Sequence, residues 1–456
     1  MNKKEENFLG TEDIWKLMFR LGLPTIVGQV INILYTIVDR IYIGHIPGLG
    51  SSALTGVGIT VPIISLISAF SAIVGSGGAP LSSIWMGKGD KKHAEKILGN
   101  GVFLLGLFSA ILMTFFLLFK VPLLRMFGAS DTTLPQANEY ITVYLFGTFF
   151  VEFYLGLNPF IIAQGASGIA MISIIVGAVL NTILDPIFIF VFGMGVKGAA
   201  WATVISQGVS AVWVLSYLLG KKSKMKIRLC NLKPDGKIVK NIFSLGIAPF
   251  VMQSTESIVT IVLNRGLSYY GGDLYVGSLT VLQSIMQFFI APVTGFTQGV
   301  QPIISYNYGA GNFERVRKIY RRMITICTSF LSCCAVLVIL FPGMFAGLFT
   351  SDMELVGLLE KVIPIYMSGM LIFGLQISIQ PVFLALGQAK ISLFIAALRK
   401  ILLLVPLALL LPLRFGVMGI YYAEPLADVI AACIAAGLFL FNIKKILSEE
   451  GLSKIQ

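Results

Sequence analysis

Asn181-Thr182-Ile183-Leu184-Asp185-Pro186-Ile187 stands in the middle of a long apolar run. An aspartate at the centre of a membrane-spanning helix costs about 2.5–3.5 kcal/mol on insertion scales, so it is kept there for a function. Asn181 and Asp185 are four residues apart and share one helix face. Pro186 has no amide hydrogen to give to the preceding turn, so a backbone carbonyl is released toward another partner. The stretch reads as half of a cation or proton site. Its other half is expected on a neighbouring helix at the same depth.

The rest of the chain gives this stretch its setting. The 456 residues are 56% hydrophobic and only 12% charged, with a mean hydropathy of +0.87. Apolar runs of about 20 residues, long enough to cross a bilayer, recur throughout. They are continuous rather than alternating, so the expected fold is an all-α polytopic membrane protein. Twelve spans are expected, near 15–46, 53–85, 97–119, 139–163, 170–192 and 198–219, then 239–269, 275–307, 316–341, 354–386, 391–413 and 416–442. The basic stretch 221–238 reads as a linker between an N-terminal lobe, 1–220, and a C-terminal lobe, 239–456.

Charge gives orientation. The net charge of +12 gathers in alternate connections: Lys88, Lys91, Lys92 and Lys96, then Lys221 to Lys240, then Arg315, Arg317, Lys318, Arg321 and Arg322. By the positive-inside rule these connections and both termini are expected in the cytoplasm of a plasma-membrane protein. The basic loops are an orientation signal, so no nucleic acid is expected as partner. Met1-Asn-Lys-Lys-Glu-Glu lacks the apolar core of a cleavable signal. Five cysteines, four of them in apolar spans, suit reduced thiols, and two histidines are too few for a metal cluster. With no phosphate loop, metal-ligand spacing or nucleophile beside a histidine, an enzyme is not expected, and no cofactor is expected beyond a coupling ion.

The two halves repeat each other. Met86-Gly-Lys-Gly-Asp90 matches Tyr308-Gly-Ala-Gly-Asn312, and Phe127-Gly-Ala-Ser-Asp131 matches Leu348-Phe-Thr-Ser-Asp352. Tyr144-Leu-Phe-Gly147 matches Tyr366-Met-Ser-Gly369, Gly195-Val-Lys-Gly198 matches Gly416-Val-Met-Gly419, and Leu21-Gly-Leu-Pro24 matches Leu245-Gly-Ile-Ala-Pro249. A six-plus-six parallel repeat is a transporter architecture, with substrate between the halves near the midplane.

Leu21-Gly-Leu-Pro24 with Asp39, Met86-Gly-Lys-Gly-Asp90, Asn181 with Leu184-Asp185-Pro186, and Gly198-Ala-Ala-Trp-Ala-Thr203 together resemble the MATE family (multidrug and toxic compound extrusion), in a branch similar to MepA-like and DinF-like exporters. The likeness runs over essentially the whole chain. It implies two lobes that face in and out by turns, driven by Na⁺ or H⁺. It also implies a cation site in the N-terminal lobe, which falls here on Asp39, Asn181, Asp185, the Ala199 carbonyl and the Thr203 hydroxyl. Depth agrees without the family. Asp39 lies 18 residues past Leu21 and Asp185 lies 18 past Ser167, which puts each about 27 Å along its helix. Oxygen ligands suit a hard cation such as Na⁺, and paired carboxylates suit a proton. The alternative for Asp39 is a simple pair with Arg40, and Thr203 has the alternative of a bond back to its own helix.

For substrate, acids and aromatics near the midplane suit organic cations. The candidates are Glu256, Glu152 with Phe153, Asn158, Tyr35, Gln29, Gln283 and Gln287. Glu256 resembles a seventh-helix glutamate of NorM-type relatives, but the matching tenth-helix aspartate is absent, with Leu375 and Gln376 there. Plain helix packing is the alternative for the aromatic stripe. Glu424 suits a structural bond as well as a transport role. The central cavity is expected to be acidic, with no Lys or Arg at the midplane. The expected function is cation-coupled export of organic cations and drugs by alternating access, by a monomer in the lipid bilayer. The rival reading is a flippase or exporter for a lipid-linked or other amphiphilic metabolite.

Overall fold

The computed structural model describes residues 8–350 and 352–453. The amino-terminal Met1–Glu6 stretch and Ser351 of the repeat motif lie outside the described residues. Chain order begins with α1 (Phe8–Thr11), α2 (Ile14–Gly44), α3 (Gly50–Gly87), α4 (Lys91–Met126), α5 (Leu134–Phe146), α6 (Thr148–Ala163), α7 (Ser167–Pro186) and α8 (Val196–Leu219). It continues with α9 (Gly236–Gly271), α10 (Asp273–Gly309), α11 (Phe313–Leu340), α12 (Pro342–Gly347), α13 (Met353–Tyr366) and α14 (Met370–Ala385). The last helices are α15 (Ala389–Ala397), α16 (Val405–Leu410), α17 (Pro412–Phe415), α18 (Met418–Ile446) and α19 (Glu449–Ser453). Eleven spans are long and apolar enough to cross a membrane, and α5 with α6 makes a twelfth. The protein is a multi-pass membrane protein with no strand among the described residues.

The expected fourth span is not straight. It bends by 60° between α5 and α6, at Gly147. A Cβ at Gly147 would sit 2.8 Å from Val204 Cγ1, so the bend needs a residue without a side chain. Its counterpart in the repeat, Gly369, closes a tight 3₁₀ turn between α13 and α14.

The repeated motifs have physical work to do. Gly89 and Gly311 have φ of +83° and +72°, where glycine alone is unstrained. Each reverses the chain on the same side of the molecule. Asp90 and Asn312 then cap the next helix, accepting from His93 N at 2.9 Å and from Arg315 N at 3.3 Å.

Helices α2 to α8 pack on one another, as do α9 to α18, and the two sets meet along α2 with α10 and α3 with α9. The meeting is tightest toward the basic connections. Gly77 lies against Gly246, Gly309 against Ile84, and Gly295 against Ile26. Gln29 Nε2 donates to Gln298 Oε1 at 3.0 Å across the same seam. Leu9 and Ile446, near the two ends of the described residues, both sit on this side. Asn307 Nδ2 donates to Leu9 O at 2.9 Å, and Tyr308 Oη donates to Ile446 O at 3.1 Å. The linker is tied down here too. Gln164 Oε1 accepts from Lys224 N at 2.7 Å, and Arg228 Nε pairs with Glu95 at 2.7 Å.

Candidate cation site and central cavity

Three elements converge on Asp185. α7 runs regularly up to Pro186, and the chain then widens into a π-type turn over Ile187–Val191. This is where the proline has removed one intrahelical hydrogen bond. Asn181 Nδ2 donates to Asp185 Oδ1 at 3.3 Å within the same face, and to Thr203 Oγ1 at 3.4 Å on α8. Asp39, from α2, stands close enough to Asp185 for the two carboxyl groups to interact. Ala199 is fully buried in the first turns of α8, one turn before Thr203. The structure therefore brings Asp39, Asn181, Asp185 and Thr203 together, with Ala199 one turn before Thr203 on α8. Arg40 is exposed, and among the described residues it makes no ion pair with Asp39.

The site is rich in unsatisfied oxygen. Asp39 Oδ1, Asn181 Oδ1 and Asp185 Oδ2 are buried and accept no hydrogen bond within the protein. Buried acceptors without partners cost free energy comparable to a lost hydrogen bond each. A cluster of them on two helices is a donor set for a hard cation or a proton. No cluster of three or more His, Cys, Asp or Glu with metal-holding geometry occurs among the described residues. Two carboxylates with an amide and a hydroxyl therefore fit a weakly held ion better than a resident transition metal.

Beside the site lies a small cavity of about 30 Å³ lined by Asn32, Tyr35, Asn181, Thr203, Ser206 and Gln207. It shares Asn32, Tyr154 and Ile174 with a larger cavity of about 460 Å³ between the lobes. The larger one is lined by the amides of Gln29, Asn32, Asn158, Gln253, Gln298 and Gln301, with several serines. Asn158 Nδ2 is held by Ser173 Oγ at 2.7 Å and Ala170 O at 3.3 Å. Among the described residues this lining carries no charged side chain. The expectation of an acidic central cavity is thus corrected to an uncharged amide and hydroxyl surface.

The remaining candidates lie elsewhere. Glu152 is buried on α6 with neither carboxyl oxygen partnered. Phe153 is buried and stacks on Phe149 at a centroid distance of 4.1 Å, which favours packing. Gln283 is half-buried and Gln287 exposed on α10, and neither lines the larger cavity. Glu256 pairs with Lys400.

That last pair overturns the expectation that no Lys or Arg lies near the midplane. Arg399 and Lys400 stand in the π-type stretch Leu398–Leu404, each only 8% exposed. Arg399 Nε donates to Asp428 Oδ1 at 2.5 Å and its Nη2 to Glu424 Oε1 at 2.6 Å. Its guanidinium lies 4.3 Å from the centroid of Phe373. Glu424 thus makes a structural bond. An apolar run hides two basic residues well. The readable signal was Glu424 and Asp428, four apart on one face of the last span and in need of a cation. Tyr140 on α5, whose hydroxyl faces Thr203, was also missed, because a lone tyrosine in an apolar span reads as core.

A family model described as MatE matches this chain twice, over residues 24–187 and 249–410. The "Multidrug export protein MepA" of Staphylococcus aureus (strain MSSA476) is 26% identical over 453 residues, covering 99% of this chain and 98% of that protein. The protein of the same name from Staphylococcus saprophyticus subsp. saprophyticus is 27% identical over 454 residues, with the same coverage. Among solved structures, a MATE protein in complex with MaL6 superposes with a TM-score of 0.90 at 26% identity, over 99% of this chain and all of the other. An outward-facing multidrug resistance MATE family transporter of the MOP superfamily gives 0.89 at 25% identity, over 100% and 99%. The double match, one to each half of the repeat, means that the chain belongs to the MatE family.

Proposed function

We propose that this chain is a cation-coupled antiporter that exports organic cations and other amphiphilic drugs across the plasma membrane. The single observation that carries the reading is the group of unpartnered oxygens of Asp39, Asn181 and Asp185 beside the cavity between the lobes. Relatives named as multidrug export proteins align end to end and supply the substrate class. The basic connections and both termini are placed in the cytoplasm by the positive-inside rule. The tight seam at Gly77, Gly246 and Gly309 then closes the cytoplasmic side, and this conformation faces outward.

The mechanism follows from that state. Na⁺ or H⁺ enters from outside through the cavity and reaches Asp39 and Asp185 past Asn32 and Tyr35. Its binding draws α2 onto α7 and α8 and changes the wall that Gln29 and Asn32 present to the substrate. The substrate leaves, and the lobes reopen on the cytoplasmic side. One chain holds both lobes and the complete site, so the unit is a monomer. The lipid-linked saccharide reading fits less well, because a pyrophosphate needs basic groups and the cavity lining offers none.

The test is flux of a fluorescent organic cation in proteoliposomes, with a Na⁺ gradient and a pH gradient imposed separately. Flux driven by one gradient and lost in Asp39→Asn supports the reading. Flux indifferent to both gradients refutes it.

A further inference from the structure

On the side of the basic connections the two lobes are built alike and finished differently. In the N-terminal lobe α6 packs against both α4 and α8, and in the C-terminal lobe α14 packs against both α11 and α18. The linker covers this place in the N-terminal lobe. Ile227 N donates to Leu218 O at 3.2 Å on α8, Met225 is fully buried, and the 3₁₀ turn Leu229–Asn231 lies on α4. Arg228 pairs there with Glu95 at 2.7 Å, and a Cβ at Gly99 would collide with the Asn231 backbone oxygen.

In the C-terminal lobe the same place is an open groove of about 820 Å³, with α14 as floor and α11 and α18 as walls. Counting from the caps Asp90 and Asn312, the fifth residue is Glu95 in one lobe and Arg317 in the other, and the ninth is Gly99 and Arg321. Where the linker finds an acid and a gap, this groove presents two arginines. Leu218 and Phe439 correspond in the same way, each twenty residues past the repeated glycines Gly198 and Gly419.

The lining changes in character with depth. Arg317 and Arg321 are one turn apart on α11, and Ile324 lies about one turn further in. On α18 Lys444 stands at the mouth, with Leu440 one turn and Ala436 two turns deeper. Leu375 and Ile379 come from α14, and Tyr320 meets Phe439 edge-on at a centroid distance of 5.1 Å. The lining holds no acid. Arg317, Arg321 and Lys444 are exposed, and among the described residues none of them makes an ion pair, although the adjacent Lys318 pairs with Glu314 at 2.7 Å.

We propose that this groove binds an anionic phospholipid of the cytoplasmic leaflet. The phosphate sits among Arg317, Arg321 and Lys444, and an acyl chain runs inward along Leu440, Ala436 and Leu375. The arginine fork suits phosphate oxygens, and basic pockets between spanning helices on the cytoplasmic side suit acidic headgroups. A soluble phosphate would meet the cations and leave the apolar length of the groove bare. A second copy of this chain, docked groove to groove, would set like charges against each other. A lipid satisfies both ends, and ties α11 to α18 across α14 as the linker ties α4 to α8. The inference takes only the orientation from the exporter reading, and its test needs neither orientation nor transport.

The experiment is native mass spectrometry of the purified full-length protein, stripped of lipid and titrated separately with phosphatidylglycerol and phosphatidylethanolamine of identical acyl chains. Wild type is expected to bind one phosphatidylglycerol about tenfold or more tightly than phosphatidylethanolamine. The triple variant Arg317→Gln, Arg321→Gln, Lys444→Gln changes exposed positions only and is expected to lose that preference. The control Lys91→Gln, Lys92→Gln, Lys96→Gln removes as much exposed charge from α4 and is expected to keep it. Ala436→Trp fills the groove without altering charge and is expected to weaken phosphatidylglycerol about tenfold. Excess glycerol phosphate is expected to leave the bound lipid in place. Equal affinity of wild type for the two lipids overturns the proposal. So does a preference that survives in the groove variant or in Ala436→Trp, or one that is lost equally in the control, which would mean diffuse surface charge. Displacement by glycerol phosphate would replace the lipid with a soluble anion. Each of these results leaves gradient-driven export untouched, and absent flux with the expected binding pattern would sink the exporter reading alone.

Discussion

Asn181 and Asp185 are one helical turn apart, and the amide of the first donates to Oδ1 of the second at 3.3 Å, while Asp185 Oδ2 is buried without a donor. One carboxylate is thus held in position by its own helix, and the other acid of the pair, Asp39, stands on α2 with Oδ1 unpartnered. An ion that bridges them couples α2 to α7. Asp39→Asn and Asp185→Asn replace a carboxylate by an amide of the same shape, so both variants are expected to fold and to keep their elution volume. Ion-driven flux is expected to fall to the level of empty liposomes. Normal flux in either one would remove the proposed site.

Thr203 is a subtler member of the proposed site. Its hydroxyl accepts from Asn181 at 3.4 Å, a long bond that orients the amide. Thr203→Val preserves shape and removes that acceptor. A neutral hydrogen bond is worth about 1 kcal/mol net, which corresponds to roughly a fivefold weakening of coupling-ion affinity. The concentration of Na⁺ or H⁺ giving half-maximal flux reads this directly. Ala199→Ser is expected to leave that midpoint unmoved, because the proposed site uses only the carbonyl of Ala199. A midpoint that moves with Ala199→Ser and not with Thr203→Val would reverse the assignment.

Of the proposed N-terminal site, Asp39, Asn181 and Asp185 stood out because each breaks a local rule, whereas Ala199 and Thr203 came from the family resemblance. An acid, an amide and a proline inside an apolar run are conspicuous, and i, i+4 spacing fixes their face. The repeat was readable because glycine turns and helix caps have no substitute, as at Gly89 with Asp90 and Gly311 with Asn312. Arg399 and Lys400 were not read, since their meaning depends on acids 24 to 29 residues away, at Glu424 and Asp428. The bend at Gly147 was missed for a related reason: Val204, which packs where a Cβ of Gly147 would sit, belongs to another span. Local violations show in one dimension, whereas compensation between spans appears only in three.

The lobe seam offers a third test. Gly246 packs on the backbone of Ile73, and a Cβ there would lie 2.6 Å from Ile73 Cα. Gly246→Val cannot be absorbed by a rotamer change, because the obstacle is backbone. The seam on the side of the basic connections is expected to stay open. Spin labels on Lys92 and Lys318, in a background lacking the exposed Cys230, Cys333 and Cys433, give the readout. The distance distribution should move to longer values in Gly246→Val, and export should slow by at least tenfold. An unchanged distribution would mean that the seam is not the closing contact.

Arg399 makes the strongest prediction for stability. It is nine-tenths buried between two acids, at 2.5 Å from Asp428 and 2.6 Å from Glu424. Taking charges out of water is costly, and the pairing offsets that cost only while both signs are present. Arg399→Met therefore leaves two facing carboxyl groups without the guanidinium that bridges them and is expected to destabilise the protein by about 3–5 kcal/mol. The effect is read as a shorter half-life at fixed temperature in detergent, since membrane proteins often unfold irreversibly. Neutralising the whole group, with Glu424→Gln and Asp428→Asn added to Arg399→Met, is expected to recover most of the loss. The argument turns on that recovery. If the triple variant is as short-lived as Arg399→Met alone, the arginine acts by filling space against Phe373, and the acids are bystanders.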